Sequence, residues 1–162
     1  MATWGEFRPT ALLDALNRHR VDFVVIGGVA AITHGSSRLT QDLDITYATD
    51  EANLKALGDT LLELKARLRE VDEDVPFVPD QRTLKRTTIL TLDTSAGPLD
   101  LLTQPPGAPP YEQLRRDATR VTLDSASFLI ASIDHLVAMK IEAGRPRDLG
   151  DIDELNAIRR LT

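Results

Sequence analysis

Residues 24–45 read VVIGGVAAITHGSSRLTQDLDI, an apolar run closed by Gly27 and Gly28, then a spacer, then Asp42 and Asp44. The apolar run predicts a buried strand, and the glycine pair predicts a sharp turn into a short helix over residues 29 to 35, stopped at Gly35. Residues two apart on a strand face the same side, so Asp42 and Asp44 aim both carboxylates at one point while Leu43 and Ile45 turn to the core. Two converging carboxylates suit a hard cation. Glycines at a helix start let a phosphate approach bare backbone N–H groups, and the positive helix end adds attraction. A phosphate cradle beside a divalent-cation pocket implies nucleotide chemistry. A lone glycine pair would only shape a turn, and a lone Asp pair could be an exposed strand end; together, at this spacing, they become specific.

Outward from this stretch, ALLDALNRHR reads as a first helix with Thr10 near its cap, because Leu12, Leu13 and Leu16 recur at helical spacing. Asp50 caps a predicted helix over 51 to 70 with a leucine stripe from Leu54 to Leu68. The acidic, proline-bearing stretch 71 to 82 reads as a loop. LKRTTILTLDT and GPLDLLT read as a hairpin around Gly97 and Pro98, and QPPGAPP as a connector. Beyond it, YEQLRRDA predicts a short helix, RVTLDSASFLIAS a strand pair, and IDHLVAMKIEA and DLGDIDELNAIRR two helices. This order predicts an α/β (α+β) fold: a mixed sheet of about five strands flanked by helices, with a small C-terminal helical segment. Residues 1–104 form the expected catalytic core, and 105–162 a strand-helix segment packed on it, within a single domain.

Gly27, Gly28, Arg38, Thr40, Asp42 and Asp44 resemble the signature of the DNA polymerase beta-type nucleotidyltransferase superfamily. The wording of residues 27 to 45 is similar to the small bacterial branch that includes AbiEii-like and MenT-like toxins. The Gly-Gly pair and the Arg-Leu-Thr-Gln lead-in, in place of Gly-Ser and an Arg-rich helix, favour that toxin-like branch over the antitoxin-type enzymes. The resemblance implies a third carboxylate on a later strand, for which Asp100 in GPLDLL is the candidate and Asp93 the rival. It implies Mg2+, or Mn2+, on Asp42, Asp44 and Asp100. It also implies catalytic roles for Lys140 and Asp148 in the C-terminal helices. On the residues alone, Lys140 reads equally well as a snorkelling surface lysine, and Asp148 and Asp151 as supports for the last helix. Ser36, Ser37 and Arg38 are placed to reach the phosphates of an NTP, Arg through its planar fork of donors.

The 162-residue chain has no cysteine, which excludes disulfides and thiolate metal sites, and only three histidines, which disfavour zinc. Its longest apolar stretches are strand-sized and its N-terminus lacks an export pattern, so a cytoplasmic location without membrane contact is expected. The net charge of −6 is concentrated between residues 41 and 110. Any polynucleotide contact is therefore local, with Arg115, Arg116, Arg120, Lys140, Arg145 and Arg147 as candidates. The leading expectation is NMP transfer from an NTP to an RNA end, foremost tRNA, by a toxin-antitoxin or phage-defence enzyme, with a cognate antitoxin as partner. The acidic surface supports an alternative, a protein or small antibiotic-like hydroxyl as acceptor. A catalytically silent nucleotide- or partner-binding module is the third reading, and the retained carboxylates argue against it.

Overall fold

The apolar run becomes β1 (Phe23–Ile26), buried along its whole length, in a computed structural model that describes residues 5–69 and 77–162. Before it, α1 (Pro9–Arg18) starts at Pro9, ahead of the expected Thr10 cap, because proline's missing N–H is harmless in a first turn. After it, α2 (Gly27–His34) begins at the glycines themselves and ends on Gly35 in the left-handed conformation. β2 (Leu43–Tyr47) runs antiparallel to β1, pairing Ile26 with Asp44. α3 (Glu51–Glu63) is capped by the Asp50 carboxylate, which accepts from the Asn53 N–H.

The expected helix to residue 70 stops earlier. Lys65 takes φ 55, which breaks the helix, and Arg67–Leu68 form a short edge strand, β3, paired with Asp93 and Leu92. Leu68 continues the leucine spacing by coincidence of sequence. Residue 70 of that expected helix and residues 71–76 of the expected loop lie outside the described residues. The remainder of that stretch contains α4 (Gln81–Arg86), capped by Asp80 accepting from the Thr83 N–H at 2.8 Å, with Leu84 fully buried. The following β-branched residues Thr87, Thr88 and Ile89 had made this region read as strand. The hairpin of β4 (Ile89–Thr94) and β5 (Gly97–Leu102) forms as expected. α5 (Tyr111–Arg116), the hairpin β6 (Thr119–Leu123) and β7 (Ala126–Ile130), α6 (Ile133–Ala143) and α7 (Asp148–Leu161) complete the chain.

Seven strands, against the expected five, form one sheet in the order β3-β4-β5-β2-β1-β7-β6. β2 is parallel to β5 and β1 to β7; the other neighbours are antiparallel. One face is apolar. Leu43, Ile45, Tyr47, Leu92, Leu99 and Leu101 belong to a single buried core with Leu12 and Leu16 of α1 and Leu57 and Leu61 of α3. The alternating residues of β2 and β5, Asp44 and Asp100 among them, are left for the opposite face. No described helix is long and apolar enough to cross a membrane.

Candidate active site

Asp44 and Asp100 are register partners on the parallel strands β2 and β5, so the sheet itself sets their carboxylates side by side. Asp42 precedes β2 and completes the group: one ligand oxygen from each of Asp42, Asp44 and Asp100 lies within 4.8 Å of the others. Asp93, the rival, pairs with Pro98 one turn of the hairpin away and stands outside this group. A trio of carboxylate oxygens at this spacing is a donor set for a hard divalent cation. Its own electrostatics point the same way. The Asp44 carboxyl is pushed up to about 8 by burial first, then by the charges of Asp42 and Asp100. Asp100 is also raised, again chiefly by burial, against the pull of Arg69.

Arg69 was not marked in the sequence. It donates to Asp100 at 2.8 Å, to Asp93 at 3.3 Å and to the Leu92 carbonyl at 2.8 Å. It fixes one Asp100 oxygen and neutralises part of the acidic cluster. Nothing local could have revealed it, since it follows a two-residue strand and meets Asp100 only through the sheet.

The glycine pair adjoins the carboxylates. Gly27 has φ +67, and a Cβ there would collide with the Asp44 carboxylate; a Cβ on Gly28 would meet the Thr40 hydroxyl. Thr40 in turn donates to the Asp42 carbonyl at 3.2 Å and stands 3.3 Å from its carboxylate. The N-cap of α2 is Ile26, which supplies no side-chain partner, so the helix presents its first N–H groups without a side-chain cap.

The C-terminal helices close the opposite wall. Lys140 on α6 is almost fully buried and donates to Asp151 at 3.2 Å, with Asp148 at 3.6 Å. Arg38 pairs with the same Asp151 oxygen. Asp148 has no exposed surface and accepts from Arg145 at 2.8 Å. Burial alone would raise its pKa, but the Arg145 bond and the charges of Lys140, Arg145 and Arg147 hold it below the usual value.

A cleft of about 640 Å³ gathers Gly27, Gly28, Arg38, Asp42, Asp44, Asp100 and Lys140, with Arg145 and Arg147 on its rim. Three of the expected residues do not line it. Asp148 lies behind Lys140. Ser37 donates from its N–H and hydroxyl to Glu154 at 2.6 and 2.8 Å, and the Ser36 hydroxyl accepts from the Arg38 N–H at 3.2 Å. The expected basic group also divides. Arg115 bonds Asp22 at 3.0 Å and, with Arg120, lines a separate depression at the start of β1, whereas the cleft lies at the end of β1. His34, given no role from sequence, bonds the Ala131 carbonyl at 2.8 Å.

Residues 11–161 match the family described as Nucleotidyl transferase AbiEii toxin, Type IV TA system. The chain belongs to this family. It is a nucleotidyltransferase. No curated protein sequence is significantly similar to it. Among solved structures, lincosamide antibiotic adenylyltransferase LnuA in its lincomycin-bound form is similar over 95% of this chain and 99% of its own, at TM-score 0.60 and 14% identity. The antibiotic-resistance factor ANT(2'')-Ia matches 92% of this chain and 78% of its own, at TM-score 0.59 and 12% identity. An antigenic nucleotidyltransferase-like protein from Paracoccidioides brasiliensis matches 94% and 74%, at TM-score 0.54 and 18% identity. At such identities the likeness concerns the fold.

Proposed function

We propose that this AbiEii-family protein transfers the NMP group of an NTP to a hydroxyl at an RNA end, foremost a tRNA, as a toxin held in check by a cognate antitoxin. The observation that carries the reading is the carboxylate trio beside the glycine cradle, within a toxin family. Asp42, Asp44 and Asp100 would hold Mg2+ or Mn2+. Such ions neutralise charge on the transferring phosphoryl group and on the attacking and leaving oxygens. The first N–H groups of α2, from Gly27 and Gly28, hold the β- and γ-phosphates, while Arg38 and Lys140 exchange Asp151 for phosphate oxygens. Asp100, with one oxygen held by Arg69, offers the other to the acceptor hydroxyl and takes its proton. The acceptor oxygen bonds to the α-phosphorus as the bond from that phosphorus to the bridging oxygen breaks, and pyrophosphate leaves.

A second reading, a small-molecule hydroxyl as acceptor, is favoured by the fold likeness to a lincosamide antibiotic adenylyltransferase and an antibiotic-resistance factor. Incubation with each labelled NTP, magnesium and cell extract, followed by separation of RNA, protein and small molecules, distinguishes the two. Label in RNA supports the first reading; label confined to small molecules overturns it.

A further inference from the structure

The cleft has a neighbour. A second depression of about 760 Å³ shares the Pro105 and Pro106 wall with it. It starts two residues beyond Asp44, at Thr46 on β2, and just past the end of β5, at Thr103 and Gln104 after Asp100. The glycine cradle lies the other way. Ile26 is the register partner of Asp44, and the antiparallel chain continues from it to Gly27 toward the Asp42 side. The carboxylates therefore stand between the phosphate cradle and the second depression.

Chemistry gives this order a meaning. In nucleotidyl transfer the attacking and leaving oxygens lie roughly in line across the α-phosphorus. Pyrophosphate leaves on the cradle side, so the acceptor enters from the side of Thr46 and Gln104. A cleft of about 640 Å³ is already of the size that holds one nucleotide. The second space is left for a second substrate.

Its charge selects the kind of substrate. In a chain of net charge −6, the depression is lined by Lys85 and Arg86, both exposed in the last turn of α4, and by no described carboxylate. A cationic small alcohol is repelled there, and a phosphate backbone is attracted. Thr88 and Gln104 add polar groups to the lining, while the Tyr111 hydroxyl is taken up by Asp22 at 2.7 Å. We propose that the second depression is the track of the acceptor strand of an RNA: Lys85 and Arg86 hold its phosphates, and its terminal nucleotide crosses Pro105 and Pro106 to reach the carboxylates. This deepens the RNA reading above and rests on it.

The test compares the parent with a Lys85→Gln, Arg86→Gln double variant and an Arg115→Gln, Arg116→Gln control. The probe is an RNA hairpin with a single-stranded 3′ end, titrated by fluorescence anisotropy over a salt series; transfer of labelled NTP to total cell RNA and calorimetric NTP affinity are measured beside it. The Lys85, Arg86 variant is expected to bind RNA roughly tenfold more weakly, with its log-log salt slope smaller by about two, at unchanged NTP affinity. The control follows the parent. If the parent labels RNA and the Lys85, Arg86 variant matches it at every salt concentration, the acceptor path lies elsewhere and the RNA reading stands. If the parent labels no RNA and a small alcohol instead, the RNA reading fails and takes the track with it.

Discussion

The two walls of the cleft are built on opposite electrostatic plans. On the sheet, three carboxylates face one another with Arg69 alone to offset them, and the Asp44 carboxyl rises to about 8. On the opposite wall, Arg38 from the loop after α2, Lys140 of α6 and Arg145 of the connector interleave with Asp148 and Asp151 of α7, so these charges are paired and Asp148 falls below its usual value. Mutual repulsion on the sheet wall opposes folding, and on the proposed reading it is relieved by bound cations. The opposite wall supports the fold, and on the same reading it gives up its own ion pairs to phosphate by exchange. Function and stability should therefore separate between them.

The largest expected effect is on the sheet wall. Asp44→Ala and Asp42→Ala should each lower transfer by roughly a thousandfold, the loss of several kcal/mol of transition-state stabilisation. Melting temperature without metal should hold or rise, because mutual repulsion is relieved. A large fall in melting temperature would make the pair structural. Magnesium should raise the parent's melting temperature and leave that of either variant nearly unchanged.

The helix wall should show the reverse. Asp148→Asn leaves Lys140 and Arg145 short of a buried partner and should cost about 3 kcal/mol by denaturant unfolding. The pH dependence carries the sign. Because the folded Asp148 ionises below its unfolded value of 3.8, its contribution is full above that pH and is lost as pH falls through the folded value. The Asn variant should lack that acid-side step.

Smaller effects sharpen the contrast. Arg69→Gln frees Asp100 from its guanidinium and should lower kcat roughly tenfold at little cost in KM for NTP, the pattern of a residue acting through a ligand. Ser37→Ala, whose hydroxyl faces Glu154, should change NTP affinity by no more than a few-fold in calorimetry. A larger loss would place Ser37 on the triphosphate.

What could be read from the sequence follows the range of the interactions involved. Asp42 and Asp44 are legible because strand alternation fixes their direction, and Gly27 because only glycine suits both φ +67 and the approach of Asp44. Asp100 was legible as a carboxylate amid apolar strand residues. The partners are not local. Arg69 reaches Asp100 through a strand pairing that two residues of β3 barely announce, and Ser37 meets Glu154 across 117 positions. Arg115 pairs with Asp22, 93 positions away, at the far end of β1 from the cleft. β3 was not legible for the same reason: edge pairing, not propensity, makes Arg67 and Leu68 a strand.

The place of β7 beside β1 bears on how the chain comes off the ribosome. β1 is wholly apolar and is pairing-competent on both edges, yet its parallel neighbour arrives only after some hundred further residues have been synthesised. At about 5–20 residues per second, a nascent chain carries the edge of β1 uncovered for seconds, next to residues that will become the cradle. Asp42, Asp44 and Asp100 are thus synthesised before β7 can close that edge, and Lys140, Arg145 and Arg147 only after it.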